Sequence, residues 1–493
     1  MSLSRKKPLA VLLSQVSEKE GGLKRTLTWP GLIALGIGAI IGAGLFVRTA
    51  AASGQAAGPA VTLSFVVAAI GCCFAGLCYA EFAAMIPIAG SAYTYAYVTM
   101  GEFTAWVIGW ALILEYALGA ATLSIAWTEY LNKLLGGALP YGWTHSPFET
   151  SPSGEHGIMN VVAIGILFLV TLLLIKGTSE SATVNAIIVA IKVAIVLAFI
   201  AVGWQFVNPA NHTPYMIPEG TPGHEDFFQH GWGGVLRGAG IVFFAFIGFD
   251  AVSTAAQETK NPGRDMPIGI LGSLAVCTFL YITFGYVLTG VAPYSEFLLA
   301  GKEASVAYAI EHHMPGYGWL ATAVTVAILA GFTSVMLVML LGQSRVFYSM
   351  SNDGLLPKLF CEVHPKFRTP YKCNWVLFVF VGMFGAFIPE SVAGDLTSIG
   401  TLFAFVLVCV GVMIMRKTNP GQARPFRTPL VPIVPILGIL VCGTMILSLD
   451  RFTQMTAVGW MLVGFVVYFL YGKAHSRLAS PEIGGQLRAE ATD

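Results

Sequence analysis

The residues most suited to chemistry in this chain are glycines in places where a helix should not have them. Leu35-Gly36-Ile37-Gly38-Ala39-Ile40-Ile41-Gly42-Ala43-Gly44-Leu45-Phe46 carries four glycines in nine residues, and each costs a helix about 1 kcal/mol relative to alanine. Three readings compete. Gly38-x-x-x-Gly42 fits close packing between membrane helices. Gly36-x-Gly38 passes for part of a dinucleotide fingerprint, but that motif needs a preceding strand and a soluble βαβ unit, and none is present. The third reading is an unwound segment whose backbone N–H and C=O groups turn towards a ligand. A second stretch favours it: Gly238 and Gly240, then Phe243-Phe244-Ala245-Phe246-Ile247-Gly248-Phe249-Asp250, again put glycine and a polar residue inside an apolar run.

Few ionisable groups lie inside the apolar runs, and each is a candidate for function because each costs a few kcal/mol to insert. Lys192 is central in Asn185-Ala-Ile-Ile-Val-Ala-Ile-Lys192-Val-Ala-Ile-Val. It is either a structural ammonium bonded to nearby carbonyls or a titrating group. Glu115 shares a helical stripe with Ala111, Gly119, Thr122 and Ala126. Small residues mark a packed face, so its carboxylate points inward, towards a cationic side chain or a neighbouring helix. Asp250 sits where a helix restarts, a favoured N-cap position. Glu81, Glu258 and Arg345 lie near span ends, as gate ion pairs or as interfacial charges. All nine histidines fall in loops or tails, which leaves any intramembrane proton relay to other groups.

The elements that must position these residues are membrane spans. The chain has 493 residues, 56% hydrophobic and 11% charged, with a mean hydropathy of +0.73. A soluble domain is nearer a quarter charged. The formal net charge of +1 argues against a nucleic-acid partner. Six of the eight cysteines lie in apolar runs, and the other two fit no zinc spacing, so reduced thiols are expected. No Walker motif, intramembrane histidine cluster or nucleophile–base pair is visible, so we expect no enzyme activity, cofactor or metal.

About 20 apolar residues cross a bilayer. Twelve runs qualify, near 30–51, 61–86, 103–131, 158–175, 183–206, 235–259, 267–291, 319–348, 374–388, 395–415, 430–448 and 457–471. They are continuous rather than alternating, which argues for helices over a barrel. Most of the 27 Lys and Arg fall on the side carrying both termini, against Arg48, Lys133, Arg237, Lys302 and Arg451 on the other. That asymmetry predicts a multi-pass protein of the plasma membrane with both ends in the cytoplasm. The first thirty residues lack a cleavable signal pattern. Loops near 132–156 and 208–234 read as surface caps, the second with a glycosylation sequon at Asn211.

The two interrupted segments occupy corresponding positions if 30–206 and 235–415 are repeats of five helices each. Five is odd, so the second repeat is inverted. Matched interruptions of this kind mark a binding site near the membrane midplane. The remaining divisions are tails at 1–29 and 472–493 and two accessory helices at 430–471.

The chain resembles the amino acid–polyamine–organocation superfamily, most closely its cationic amino acid transporter branch, from Leu32 to about Tyr471. The carrying motifs are Gly38 to Phe46, Cys78-Tyr79-Ala80-Glu81-Phe82, Gly90-Ser91-Ala92-Tyr93-Thr94-Tyr95, Phe243 to Thr254, Glu258-Thr259-Lys260-Asn261-Pro262 and Arg345-Val346-Phe347-Tyr348-Ser349-Met350. The resemblance implies an all-α membrane protein with the leucine-transporter fold: two inverted five-helix repeats plus two C-terminal helices. It implies that the substrate carboxylate meets amides at Ala43, Gly44 and Leu45, and the amine meets carbonyls of Ile40, Phe244, Ala245 and Ile247. Phe246, and Phe244 beside it, become gate candidates. Glu115, Asp250 and Met339 become side-chain pocket residues, the methionine favouring small substrates. Lys192 falls where sodium-coupled relatives bind sodium, so a proton on it can replace the ion; Thr333 and Ser334 are the alternative, offering hydroxyls to sodium. The implied function is secondary transport of small neutral or cationic L-amino acids with proton symport. An obligatory amino acid exchanger and a non-transporting sensor are the alternatives.

Overall fold

A computed structural model describes residues 5–7, 27–42, 44–86, 91–151, 153–176, 182–254, 256, 259–299, 305–367 and 369–479. The chain is all helical in its long elements, as the continuous apolar runs require: α1 (Trp29–Ile40), α2 (Val61–Met85), α3 (Ser91–Thr99), α4 (Glu102–Leu134), α5 (Val161–Lys176), α6 (Ala182–Gly203), α7 (Gly231–Val242), α8 (Pro262–Val291), α9 (Ser305–His313), α10 (Gly318–Asn352), α11 (Tyr371–Phe387), α12 (Glu390–Thr418), α13 (Ile433–Ser448) and α14 (Arg451–Val467). Each sequence-predicted span finds a helix. Exposed apolar side chains such as Leu169, Phe279, Met383, Leu440, Met455 and Leu470 face where lipid would lie.

α1 has Pro30 in its first turn, where the missing N–H costs nothing. It ends at Ile40, because Ile41 is extended. Twelve residues rise only about 18 Å, short of a roughly 30 Å hydrocarbon core. The crossing is completed by a second half of π-type and α turns, Gly44–Arg48, Thr49–Ala52 and Ser53–Ala57. The span thus runs past the expected 51 and stops at Gly58, where φ is +59°. α7 is interrupted in the same manner. It passes into the 3-10 turn Phe243–Phe246, then a bend at Gly248 with φ +108°, and resumes as Ala251–Thr254.

The two broken helices pack with α2 and α8, while α4 lies between α10 and α12. In α4, 94% of the most apolar window is buried, so it is the spine of the scaffold. The terminal segments meet on one face: Lys7 pairs with Asp353 at 2.9 Å, and the Arg477 amide donates to the Asp353 carbonyl.

Ionic clusters tie α12 at both ends. Near its start, Arg48 of the first broken helix is 1% exposed. It bonds Asp395 and lies 3.7 Å from Glu390. Glu390 is why the span begins there and not at the expected 395: hydropathy trims a charged residue, but the Arg48 guanidinium stands beside this one. Near the end of α12, Glu81 of α2 receives a bidentate pair of bonds from Arg416, at 2.8 and 2.9 Å. Arg424 lies at 3.2 Å, and the Thr428 amide donates at 2.8 Å. The twelfth span likewise starts earlier than 457, because Asp450 caps α14 through the Thr453 amide.

Removing one partner of a buried ion cluster costs about 3–5 kcal/mol, whereas replacing the whole cluster is often close to neutral. Arg48→Met should therefore lower the melting temperature in detergent clearly. The triple change Arg48→Met, Glu390→Gln, Asp395→Asn should recover most of the loss. Equal melting of the single variant and the parent protein would show that the cluster does not hold the fold.

Candidate functional site

The two interruptions meet backbone to backbone. A Cβ added at Gly44 would lie 2.1 Å from the Ala245 Cα, and one added at Gly248 would lie 2.8 Å from the Ala39 carbonyl oxygen. Only glycine permits either approach. The sequence-predicted Gly44, Leu45, Ile40, Phe244, Ala245 and Ile247 are thereby brought together in the protein interior, all of them buried; Ala43 lies outside the described residues. The end of α1 leaves carbonyls without intrahelical partners. The Ile40 carbonyl accepts from the Tyr281 hydroxyl of α8 at 3.1 Å, and the same hydroxyl lies 2.9 Å from the Ala245 carbonyl. The Phe244 carbonyl accepts from the Ile247 amide at 3.3 Å, closing the 3-10 turn. Phe246 packs against Phe65 and Tyr281, with ring centroids 6.2 and 5.3 Å away.

Lys192 comes from α6 and donates to the Gly38 carbonyl at 2.9 Å, one turn before the break. Its stem lies against Gly331 of α10, where an added Cβ would sit 3.0 Å from Cε. The ammonium therefore braces α1 against the scaffold. A cavity of about 10 Å³ beside it, lined by Ile41, Phe46, Ile195 and Phe332 among others, has room for about one water. Thr333 spends its hydroxyl on the Leu329 carbonyl of its own helix, and Ser334 is buried one residue on.

Glu115 and Asp250 are both fully buried. The Glu115 carboxyl lies beside that of Asp250 and beside Thr401, so it faces neighbouring helices. Tyr116 donates to Asp250 at 2.6 Å. Asp250 immediately precedes the restarted helix Ala251–Thr254, the N-cap position. Met339 packs on α4, its sulfur 2.8 Å from where a Cβ at Gly119 would be. Of the charges near span ends, Glu81 is the centre of the cluster with Arg416 and Arg424. Arg345 is half-buried in α10, and Glu258 lies outside the described residues.

Sequence reasoning missed Arg48 and Tyr281. Arg48 was visible: an arginine four residues beyond Gly44 falls inside a predicted span, and the rule that singles out Lys192 applies equally to it. Tyr281 is one of 17 tyrosines and gave no signal, because its role depends on two carbonyls distant in sequence.

Residues 27–471 match the amino acid permease family. Over 480 residues the chain is 44% identical to the branched-chain amino acid permease BcaP of Bacillus subtilis (strain 168), covering 97% of this chain and 99% of that one. It is 41% identical to the methylthioribose transporter of the same organism, with the same coverage. It is 34% identical to the vacuolar cationic amino acid transporter 4 of Arabidopsis thaliana over 400 residues, 81% of this chain and 64% of that longer one. A match that spans the membrane region from before α1 to beyond α14, with both helix breaks inside it, makes this chain a member of the amino acid permease family within the amino acid–polyamine–organocation superfamily.

Proposed function

We propose that this protein is a proton-coupled secondary transporter of small neutral L-amino acids, aliphatic ones foremost, working by alternating access around the paired helix breaks. The observation that carries the reading is the contact of the two interruptions at Gly44 and Ala245. Amides freed at Gly44 and Leu45 suit a carboxylate, and carbonyls at Ile40, Phe244, Ala245 and Ile247 suit an ammonium. Every α-amino acid carries both groups. Two repeats at 30–206 and 235–415, with accessory helices at 430–471, account for the matching interruptions. Lys and Arg placement supports a plasma-membrane orientation with the terminal face, tails 1–29 and 472–493, towards the cytoplasm.

A neutral substrate is favoured over a cationic one by one observation: Met339 fills the space at Gly119. Relatives named for branched-chain amino acids agree with that preference. Coupling is assigned to Lys192. Its charged form braces α1 through the Gly38 carbonyl, and loss of the proton removes the charge from that tie.

Labelled alanine should accumulate in proteoliposomes under an inward proton gradient and not under a matched sodium gradient, with unlabelled alanine competing better than arginine. Sodium-driven accumulation would overturn the coupling assignment, and uptake that requires internal amino acid would identify an exchanger.

Lys192→Ala should abolish gradient-driven accumulation, lowering it at least tenfold, while leaving slow counterflow exchange measurable. In the parent protein, uptake should fall as external pH rises and the inward proton gradient weakens. The variant should show no such slope. A variant that keeps the parent's pH profile would remove Lys192 from the coupling role.

A further inference from the structure

Tyr281 lies outside every motif the sequence offered, yet it touches both halves of the site. It is fully buried in α8, the helix that packs against α1 and α2. Its ring is held by Phe65 and Phe246, at 5.4 and 5.3 Å between centroids. Its hydroxyl stands 3.1 Å from the Ile40 carbonyl of the first break and 2.9 Å from the Ala245 carbonyl of the second. One hydroxyl has a single proton and two acceptor lone pairs. It can satisfy only one of these carbonyls at a time, so two buried acceptors share one donor. The Tyr281 oxygen thus stands within hydrogen-bond distance of one carbonyl from each break.

We propose that Tyr281 is a substrate-positioning and specificity residue: its hydroxyl oxygen is the third acceptor for the substrate's α-ammonium, beside the carbonyls of Ile40 and Ala245. The inference rests on the amino acid reading above and deepens it. An ammonium brings three donors to three oxygens. A hydroxyl in its place brings one, and an anion brings none. The ring cannot swing away because two aromatic neighbours fix it, so the hydroxyl stays in the site when substrate arrives. It donates to one carbonyl while accepting from the ammonium. Because Ile40 and Ala245 belong to different broken helices, the same oxygen also fixes their separation before substrate binds.

A purely structural tyrosine would satisfy the orphan carbonyl at the end of α1 and no more. The two roles separate in Tyr281→Phe, which keeps the ring and removes only the oxygen. Inhibition constants for L-alanine and for (S)-lactate, which replaces the ammonium by a hydroxyl, are to be measured against labelled alanine uptake in proteoliposomes. Losing a hydrogen bond to a charged donor should weaken alanine about tenfold, with lactate changing less than twofold, so that discrimination between them collapses by a similar factor. Placing 4-aminophenylalanine at 281, which restores a polar atom that donates and accepts, should recover most of the alanine affinity. It also controls for a poorly folded phenylalanine variant. Alanine affinity within twofold of the parent, or equal weakening of alanine and lactate, would overturn the assignment of Tyr281 alone. A parent protein that neither binds nor transports alanine would overturn the amino acid reading and this inference together.

Discussion

Backbone polar groups in the middle of a bilayer must find partners inside the protein, and the contact between the two helix breaks is where this chain meets that demand. Gly44 sets against Ala245 and Gly248 against Ala39, with no side chain between the two main chains. The groups freed by each interruption therefore face the other interruption, and α8 closes the arrangement with a single hydroxyl. The recognition proposed there would be a property of the backbone. Replacing Leu45, Ile40 or Ile247 with another apolar residue changes packing without removing the amide or carbonyl it presents.

The same constraint explains why the charged residues inside the membrane region are where they are. Lys192 reaches the Gly38 carbonyl just before the break, bracing a helix that closes with the Ile41 amide bonded to the Ile37 carbonyl. Arg48 lies just past the break and is neutralised by α12. Glu81 anchors the far end of α12 through Arg416. α12 is thus tied to the first broken helix on one face and to α2 on the other. The energies of the two ties are set by burial. Glu81 is almost fully buried, but Arg416 keeps a quarter of its side chain exposed, whereas Arg48 is enclosed by its partners. The tie at Arg48 is the costlier of the two to open without a compensating ligand or water.

Much of this architecture was legible in the sequence, because lipid makes hydropathy a direct record of depth. The twelve runs became helices, and the glycine clusters became the breaks. What was not legible was the positions at which charge and depth disagree. The tenth span reads from 395 because Glu390 lowers the apolar average before it, but Arg48 changes that sum from more than three hundred residues away. The extension of the first span to Ala57 was hidden for a similar reason, since Arg48 and Gln55 lower the apolar average there. The candidate site divides in the same way. Gly44 and Gly248 announce themselves through their cost to a helix. Tyr281 does not, because nothing local distinguishes a tyrosine that bonds two carbonyls from one that packs against lipid.

The similarity to known proteins sharpens what the site must do. One relative at 44% identity is named for branched-chain amino acids and another at 41% for methylthioribose. A thioribose has neither an α-carboxylate nor an α-ammonium, so identity at this level does not fix the ligand. Two proteins can share the broken-helix scaffold and differ in which donors and acceptors the breaks expose. In this chain the acceptors drawn together, at Ile40, Ala245 and Tyr281, outnumber the one proton they share. A sugar hydroxyl supplies one donor per oxygen and retains its own lone pairs, which would crowd acceptor against acceptor. An ammonium supplies donors only. Two carbonyls drawn to one hydroxyl suit a group that brings donors only, which is why the amine-bearing substrate proposed above fits this chain better than a sugar would.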